Sequence, residues 1–258
     1  LETLGGGSAR IKQLRRLSRR SERSERRLFL AEGRNAVEAA LASGVVVEVF
    51  ALPHRDAVLP EIPRGTALTW VDERALKALS DSVTPAGAVA LCRFVDVPVD
   101  EALVGGYVAI CADVSDPGNA GTVIRCADAA GAGGVVLAGR SVDLYNGKTI
   151  RASAGSAFHL PVATGVDAAD AIRAARAAGY AVLATEAGGD VDLFDADEIL
   201  SRPTAWLFGN EAHGLDPALA ALADHRVRIP IHGRAESLNL STAAALCLYA
   251  SARVQRPG

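Results

Sequence analysis

No methionine occurs anywhere in the 258 residues, which begin at Leu1, so the initiator is expected to have been lost through processing or cloning. Long hydrophobic runs are missing as well. The longest, such as Ala243–Ala252, fall far short of the ~20 residues that a membrane span requires. No basic, apolar and small-residue signal peptide opens the chain, so a membrane partner is not expected. Cysteine is scarce: Cys92, Cys111, Cys126 and Cys247 stand apart without metal-type CxxC spacing. They read as reduced, mostly buried small hydrophobes of a cytoplasmic protein, and no metal is implied. Two nucleotide-binding signatures are also absent. No GxGxxG precedes an acidic residue at dinucleotide spacing, and Gly147-Lys148-Thr149 has Val142 where a phosphate loop needs glycine.

What is present is ordinary globular composition: 50% hydrophobic and 22% charged residues, enough for one large domain or two modest ones. The net charge of −3 is unevenly spread, with +6 on residues 1–34 and −9 on the remainder. Arg10, Lys12, Arg15, Arg16, Arg19, Arg20 and Arg23 carry most of the positive density. A cationic arm on an acidic body suits a phosphate backbone, because each neutralised phosphate releases a counterion. Ile11, Leu14 and Leu17 recur at helical spacing, which equally fits a docked helix or a targeting segment.

The best linker candidate, Asp96-Val-Pro-Val-Asp100, divides the chain. Before it, strands are expected at Leu28–Ala31, Val45–Ala51 and Ala88–Phe94. Helices are expected at Asn35–Ala42 and from Asp72, an N-cap with Ala75 three positions on, to about Leu79, with a loop through Pro53, Pro60, Pro63 and Gly65 between them. Beyond the linker, apolar strands at Tyr107–Ala112, Gly134–Ala138, Tyr180–Thr185, Ala205–Gly209 and Val227–Ile231 alternate with helices. These fit Ala120–Ala130, Gly147–Ala154, Ala168–Ala178, Pro217–Leu222 and Ser241–Val254. Strands apolar along their whole length, each followed by a helix, imply an α/β fold with a parallel sheet covered on both faces. Ligands in such sheets lie outside the carboxyl ends of the strands.

Three loops at those ends are unusual. Asp113–Arg125 joins a strand to a helix; Asn119 there is either a helix cap or a site residue, and Arg125 is either a surface residue or one reaching over the sheet edge. Trp206–Leu215 places Glu211 between Gly209 and Gly214, which permit close backbone approach. Ile229–Ala243 offers Ser237, Asn239 and Ser241 as caps where a helix needs one.

Asn119-(five residues)-Arg125, Gly209-Asn-Glu-(two residues)-Gly214, and Ile229-Pro-Ile followed by Ser237-Leu-Asn-Leu-Ser241 stand in order over about 125 residues. Together they resemble the three motifs of the SpoU branch of the SPOUT RNA methyltransferases. Leu28-Phe-Leu-Ala-Glu-Gly33 opens a unit similar to the small ribosomal-protein-like substrate-binding domain of many members. The resemblance implies S-adenosylmethionine-dependent methylation of a ribose 2′-hydroxyl in structured RNA, with ribosomal RNA favoured over transfer RNA. It further implies a deep trefoil knot and a homodimer. A basic arm (1–24), a substrate-binding domain (25–97) and a methyltransferase domain (98–258) would follow. Arg125 would be catalytic, surrounded by Asn119, Glu211, Ser237 and Asn239. Cofactor contacts, largely through backbone groups, would fall at Thr185, Glu186, Leu207, Phe208, Gly209, Asn210, Gly214, Ile229, Ile231 and Leu238. A guanidinium is normally too weak an acid to give up its proton, so polarising the 2′-oxygen, or holding a neighbouring phosphate that takes the proton, stands beside proton abstraction as a role for Arg125. A rival from another class is an RNA-binding or ribosome-assembly factor that keeps the fold without catalysis.

Overall fold

A computed structural model describes residues 3–53, 61–82 and 87–256. Pro60, expected in a loop, lies outside them. The chain forms two units: Leu1–Val95 with Tyr145–His159, and Asp96–Leu144 with Leu160–Gly258.

The first unit holds β1 (Leu28–Glu32), β2 (Val46–Ala51), β3 (Ala67–Trp70) and β4 (Ala88–Arg93) in the order β1-β4-β2-β3. β4 runs antiparallel to both β1 and β2, and β3 is parallel to β2. Before β1 come α1 (Ala9–Arg15), a 3-10 turn and α2 (Arg20–Arg26). Ser8 caps α1 by accepting from the Ile11 N–H at 3.2 Å. Ile11, Leu14 and Leu17, at helical spacing, are buried in one core with Phe50, Val71, Leu76, Val89 and Leu91. These three aliphatic side chains dock the segment in the unit's core, unlike the separate arm expected from its charge. Arg23 is buried and donates through Nη1 to the carbonyls of Leu17 and Ser18, at 2.9 and 2.8 Å, closing the 3-10 turn. Arg10 pairs with Glu48, and Arg16 with Glu22 at 2.5 Å. Lys12, Arg15, Arg19 and Arg20 remain exposed.

α3 (Arg34–Ala42) and α4 (Glu73–Leu79) complete this half of the chain, with Asp72 capping α4 as its position suggests. The remaining helix of the unit comes from far along the sequence: α7 (Gly147–Ser153). Tyr145, just before it, packs against Phe29 and stacks on Phe94, and its hydroxyl accepts from the Val95 N–H at 2.7 Å. Arg151 pairs with the buried carboxylate of Glu32, which also accepts from the hydroxyls of Ser80 and Ser82. A buried carboxylate without such partners would be strongly destabilising, so α7 belongs to this unit and the expected division at 97 is incomplete.

The second unit begins with α5 (Val99–Ala102), followed by β5 (Tyr107–Ala112), α6 (Pro117–Ala130) and β6 (Val135–Ala138). After α7 come β7 (Val162–Thr164), α8 (Ala168–Ala177), β8 (Ala181–Thr185), β9 (Val191–Asp192), α9 (Asp197–Leu200) and β10 (Thr204–Phe208). α10 (Pro217–Ala220), β11 (His225–Arg228) and α11 (Leu240–Gln255) end it. The seven strands form a wholly parallel sheet in the order β7-β6-β5-β10-β8-β11-β9. Every residue of β5, β6 and β10 is buried. α8 packs on one face against Val108, Ile110, Val182 and Leu207. On the other, the Trp206 indole donates to Ser251 of α11 at 2.9 Å. The doubly covered parallel sheet expected from the apolar strands is thus observed. β11 ends before Ile229, earlier than expected, because Pro230 offers no N–H to a sheet ladder. No helix among the described residues is long and apolar enough to cross a membrane.

Candidate active site

The strand order reverses around β5 and β10, so the loops leaving β5, β8, β10 and β11 converge at the carboxyl edge, where open α/β sheets bind ligands. At the end of β5, Asp116 caps α6, its carboxylate accepting from the Asn119 N–H at 2.8 Å, with Pro117 in the first turn. Asn119 is therefore not the cap, and its side chain is available elsewhere. Its Nδ2 donates to Glu211 at 3.3 Å, and its Oδ1 accepts from Asn239 Nδ2 at 3.0 Å. Asn239 caps α11, its Oδ1 accepting from the Ser241 N–H at 2.9 Å. One chain of polar contacts thus joins all three motif loops.

Glu211 is the hub. Its carboxylate accepts from the Ser115 N–H, the Ser115 hydroxyl and the Asp116 N–H, each at 3.0 Å. Partial burial acts to raise its pKa, but hydrogen bonds from Ser115, its own backbone, Asp116 and Asn119 outweigh that and hold it below the ordinary 4.5. A depressed folded-state value means these interactions stabilise the fold above the ordinary carboxylate range and are lost as pH falls through the lower folded value. At neutral pH Glu211 is an anionic acceptor and carries no proton to donate. Replacing it with glutamine sets an amide NH2 against backbone donors. Unpaired donors cost about 1–3 kcal/mol, so Glu211→Gln is expected to lower the turnover rate by roughly 5- to 150-fold. A single-turnover assay checks this; an unchanged rate would show that the carboxylate is dispensable.

The loop bearing Glu211 is held closed by Asn210 and Gly214, which exchange N–H···O bonds of 2.8 Å each. Asn210 Nδ2 donates to the Asp113 carbonyl at 2.8 Å. A Cβ at Gly209 would lie 2.4 Å from the Gly214 carbonyl carbon and the Leu215 nitrogen, so only glycine allows this approach.

Beside the network opens a cleft of about 790 Å³. Thr185, Glu186, Gly209, Asn210, Gly214, Ile229, Ile231 and Leu238 all line it, as do Glu211 and Ser237. Leu207 and Phe208 do not: their side chains are buried in β10, and the Leu207 carbonyl instead accepts from the Thr185 hydroxyl at 3.1 Å. Asn119 and Asn239 adjoin the cleft through Glu211. Arg125 is exposed on α6 and engages no carboxylate among the described residues. Ser115 and Asp116, which hold Glu211, carried no sequence signal beyond their place beside Asn119. Asp192 and Glu236 add carboxylates to the lining.

A parallel α/β sheet with such a cleft at its carboxyl edge, bordered by an Asn–Glu–Asn network, defines the class of protein as an α/β ligand-binding fold. Residues 106–249 match the SpoU rRNA Methylase family, and residues 8–90 match the MRM3-like substrate binding domain. The chain belongs to the SpoU rRNA Methylase family. It is 32% identical over 240 residues to the 23S rRNA (guanosine(2553)-2′-O)-methyltransferase RlmP of Bacillus subtilis, covering 93% of this chain and 94% of that one. Among solved structures, the SpoU methyltransferase AviRb of Streptomyces viridochromogenes superposes with a TM-score of 0.83 at 31% identity, over 95% of this chain and 97% of that one. The AdoMet-bound rRNA methyltransferase of Sinorhizobium meliloti gives 0.82 at 35% identity, over 95% of each chain.

Proposed function

We propose that this protein transfers a methyl group from S-adenosylmethionine to a ribose 2′-hydroxyl of large-subunit ribosomal RNA. The observation that carries the reading is the Glu211–Asn119–Asn239 network, which ties the three motif loops together beside the cleft. The lining fits the cofactor. Ile229, Ile231 and Leu238 offer apolar cover to an adenine, and Glu186, Asp192, Glu211 and Glu236 set negative charge around a cationic sulfonium and ammonium. When bound, the cofactor supplies an electrophilic methyl carbon and a neutral leaving thioether. The chain's own task is alignment, which can supply several kcal/mol of the barrier lowering. Arg125 polarises the 2′-oxygen or holds an adjacent phosphate, and that phosphate takes the hydroxyl proton as the methyl group transfers. Glu211 and Asn119 fix the first turn of the helix that carries it. RlmP and the ribosomal RNA named for the Sinorhizobium relative support an rRNA target.

The same reading includes a cytoplasmic location, the deep trefoil knot of the SPOUT fold and a homodimer. The dimer is supported by α11, where Leu246 and Tyr249 are 39% and 53% exposed in the single chain. Sedimentation at micromolar concentration is expected to give twice the chain mass; a catalytically active monomer would remove the dimer from the reading.

Titration calorimetry with S-adenosylmethionine, followed by mapping of 2′-O-methyl groups on ribosomal and transfer RNA, tests the whole. Cofactor binding with a modified large-subunit nucleotide is the expected outcome. RNA binding without cofactor binding would favour a non-catalytic assembly factor, and modified transfer RNA alone would shift the substrate.

A further inference from the structure

Asp113 directly follows β5 and has a φ of 58°, in the left-handed region that aspartate tolerates better than most residues with a Cβ. Three loops meet at this residue. Its Oδ1 accepts from the Arg140 N–H at 2.6 Å, in the loop after β6, and the Arg140 guanidinium lies 3.6 Å from Oδ2. Its carbonyl accepts from Asn210 Nδ2 at 2.8 Å, in the loop after β10. Two and three residues beyond it, the Ser115 and Asp116 N–H groups donate to Glu211, while the Val114 N–H between donates to the Ser141 hydroxyl at 3.1 Å. Opposite stands Gly139, where a Cβ would come within 2.4 Å of Asp113 Oδ1; glycine there leaves the carboxylate its place.

We propose that Asp113 is a positioning residue for methyl transfer: its left-handed backbone aims the Ser115 and Asp116 N–H groups at Glu211, and its carboxylate locks that turn against the loop after β6. The proposal rests on the reading of the cleft as the methyl-transfer site. Asp113 touches neither substrate nor cofactor in it; it acts through Glu211.

Three variants separate conformation from charge. Asp113→Asn keeps an acceptor oxygen and tolerance of the left-handed region, Asp113→Gly keeps only the conformational freedom, and Asp113→Ala keeps neither. The rate of methylation is expected to fall in that order, with kcat down about threefold in the first and roughly tenfold or more in the last, at little cost in KM for S-adenosylmethionine. Carbon NMR of the Glu211 carboxyl, assigned with Glu211→Gln, gives a readout independent of activity. Its titration should move up in Asp113→Ala, where the donors lose their aim, and stay in place in Asp113→Asn. An unmoved titration with full kcat in Asp113→Ala overturns the proposal. Equal losses in all three variants also overturn it, because charge rather than conformation would then be the requirement. If Asp113→Ala does not fold, the other two decide: Asn above Gly supports the lock, and Gly equal to Asn overturns it. A wild-type protein that methylates nothing would sink the functional reading, while the Glu211 titration still decides this one.

Discussion

Arg125→Ala is expected to reduce RNA methylation roughly a hundredfold or more, the loss typical of deleting one positioned electrostatic donor. Affinity for S-adenosylmethionine should stay close to wild type, because Arg125 does not line the cleft in which the cofactor is proposed to bind. Arg125→Lys should fail nearly as badly. An ammonium keeps the charge but cannot present two parallel N–H groups to a phosphate or hydroxyl. Single-turnover rates with calorimetric cofactor affinities on the same preparations separate the two effects. Full activity in either variant would take Arg125 out of the reaction, and a parallel loss of cofactor affinity would make its role structural. Its surroundings favour the first outcome. Exposed on α6, six residues beyond Asn119, Arg125 has no carboxylate partner among the described residues whose loss could disturb the fold.

The second large effect concerns residues 1–23. Their removal is expected to unfold the first unit, although their sequence suggests a dispensable basic tail. Ile11, Leu14 and Leu17 are 0%, 6% and 3% exposed within a shared core. Emptying even one such site costs about 2–5 kcal/mol, against about 5–15 kcal/mol for a whole domain. Scanning calorimetry of the truncated chain should show the transition of that unit lost or shifted well down in temperature. Ile11→Ala should show a smaller shift in the same direction. An unchanged transition would restore the picture of a free tail. Electrostatic attraction to RNA is then tested without truncation, by neutralising exposed Lys12, Arg15, Arg19 and Arg20 together. A shallower dependence of RNA affinity on salt is expected, by about one counterion for each phosphate no longer neutralised.

Much of the architecture was legible because local pattern and tertiary environment agree. Strands buried along their whole length, such as β5 and β10, are continuous apolar runs, and their parallel arrangement follows from the helices between them. Asp72 could be read as a cap because its spacing to Ala75 satisfies a backbone donor locally. β3, β7 and β9 were not legible: they are two to four residues long and owe their existence to neighbours remote in sequence. The fate of α1 was ambiguous because its charge describes the outer face and Ile11, Leu14 and Leu17 the inner one. For the site, the three motifs located Glu211, Asn119 and Asn239, whereas Ser115 and Asp116 contribute through main-chain N–H groups, which carry no residue identity. Leu207 and Phe208 are expected to contribute through main-chain groups, so their buried side chains do not bear on that reading.

The placement of α7 bears on how such proteins can be recombined. The chain passes between the two units at 95/96, 144/145 and 159/160. A chimera with one crossover in the 96–100 linker would thus graft a foreign α7 onto the resident β1. Glu32 would then meet whatever residue the donor carries in place of Arg151, and Phe29 and Phe94 whatever replaces Tyr145. Modularity along the sequence is therefore not modularity in the fold. Within this protein, substrate-binding and methyltransferase segments can be exchanged independently only if residues 145–159 travel with the N-terminal parent.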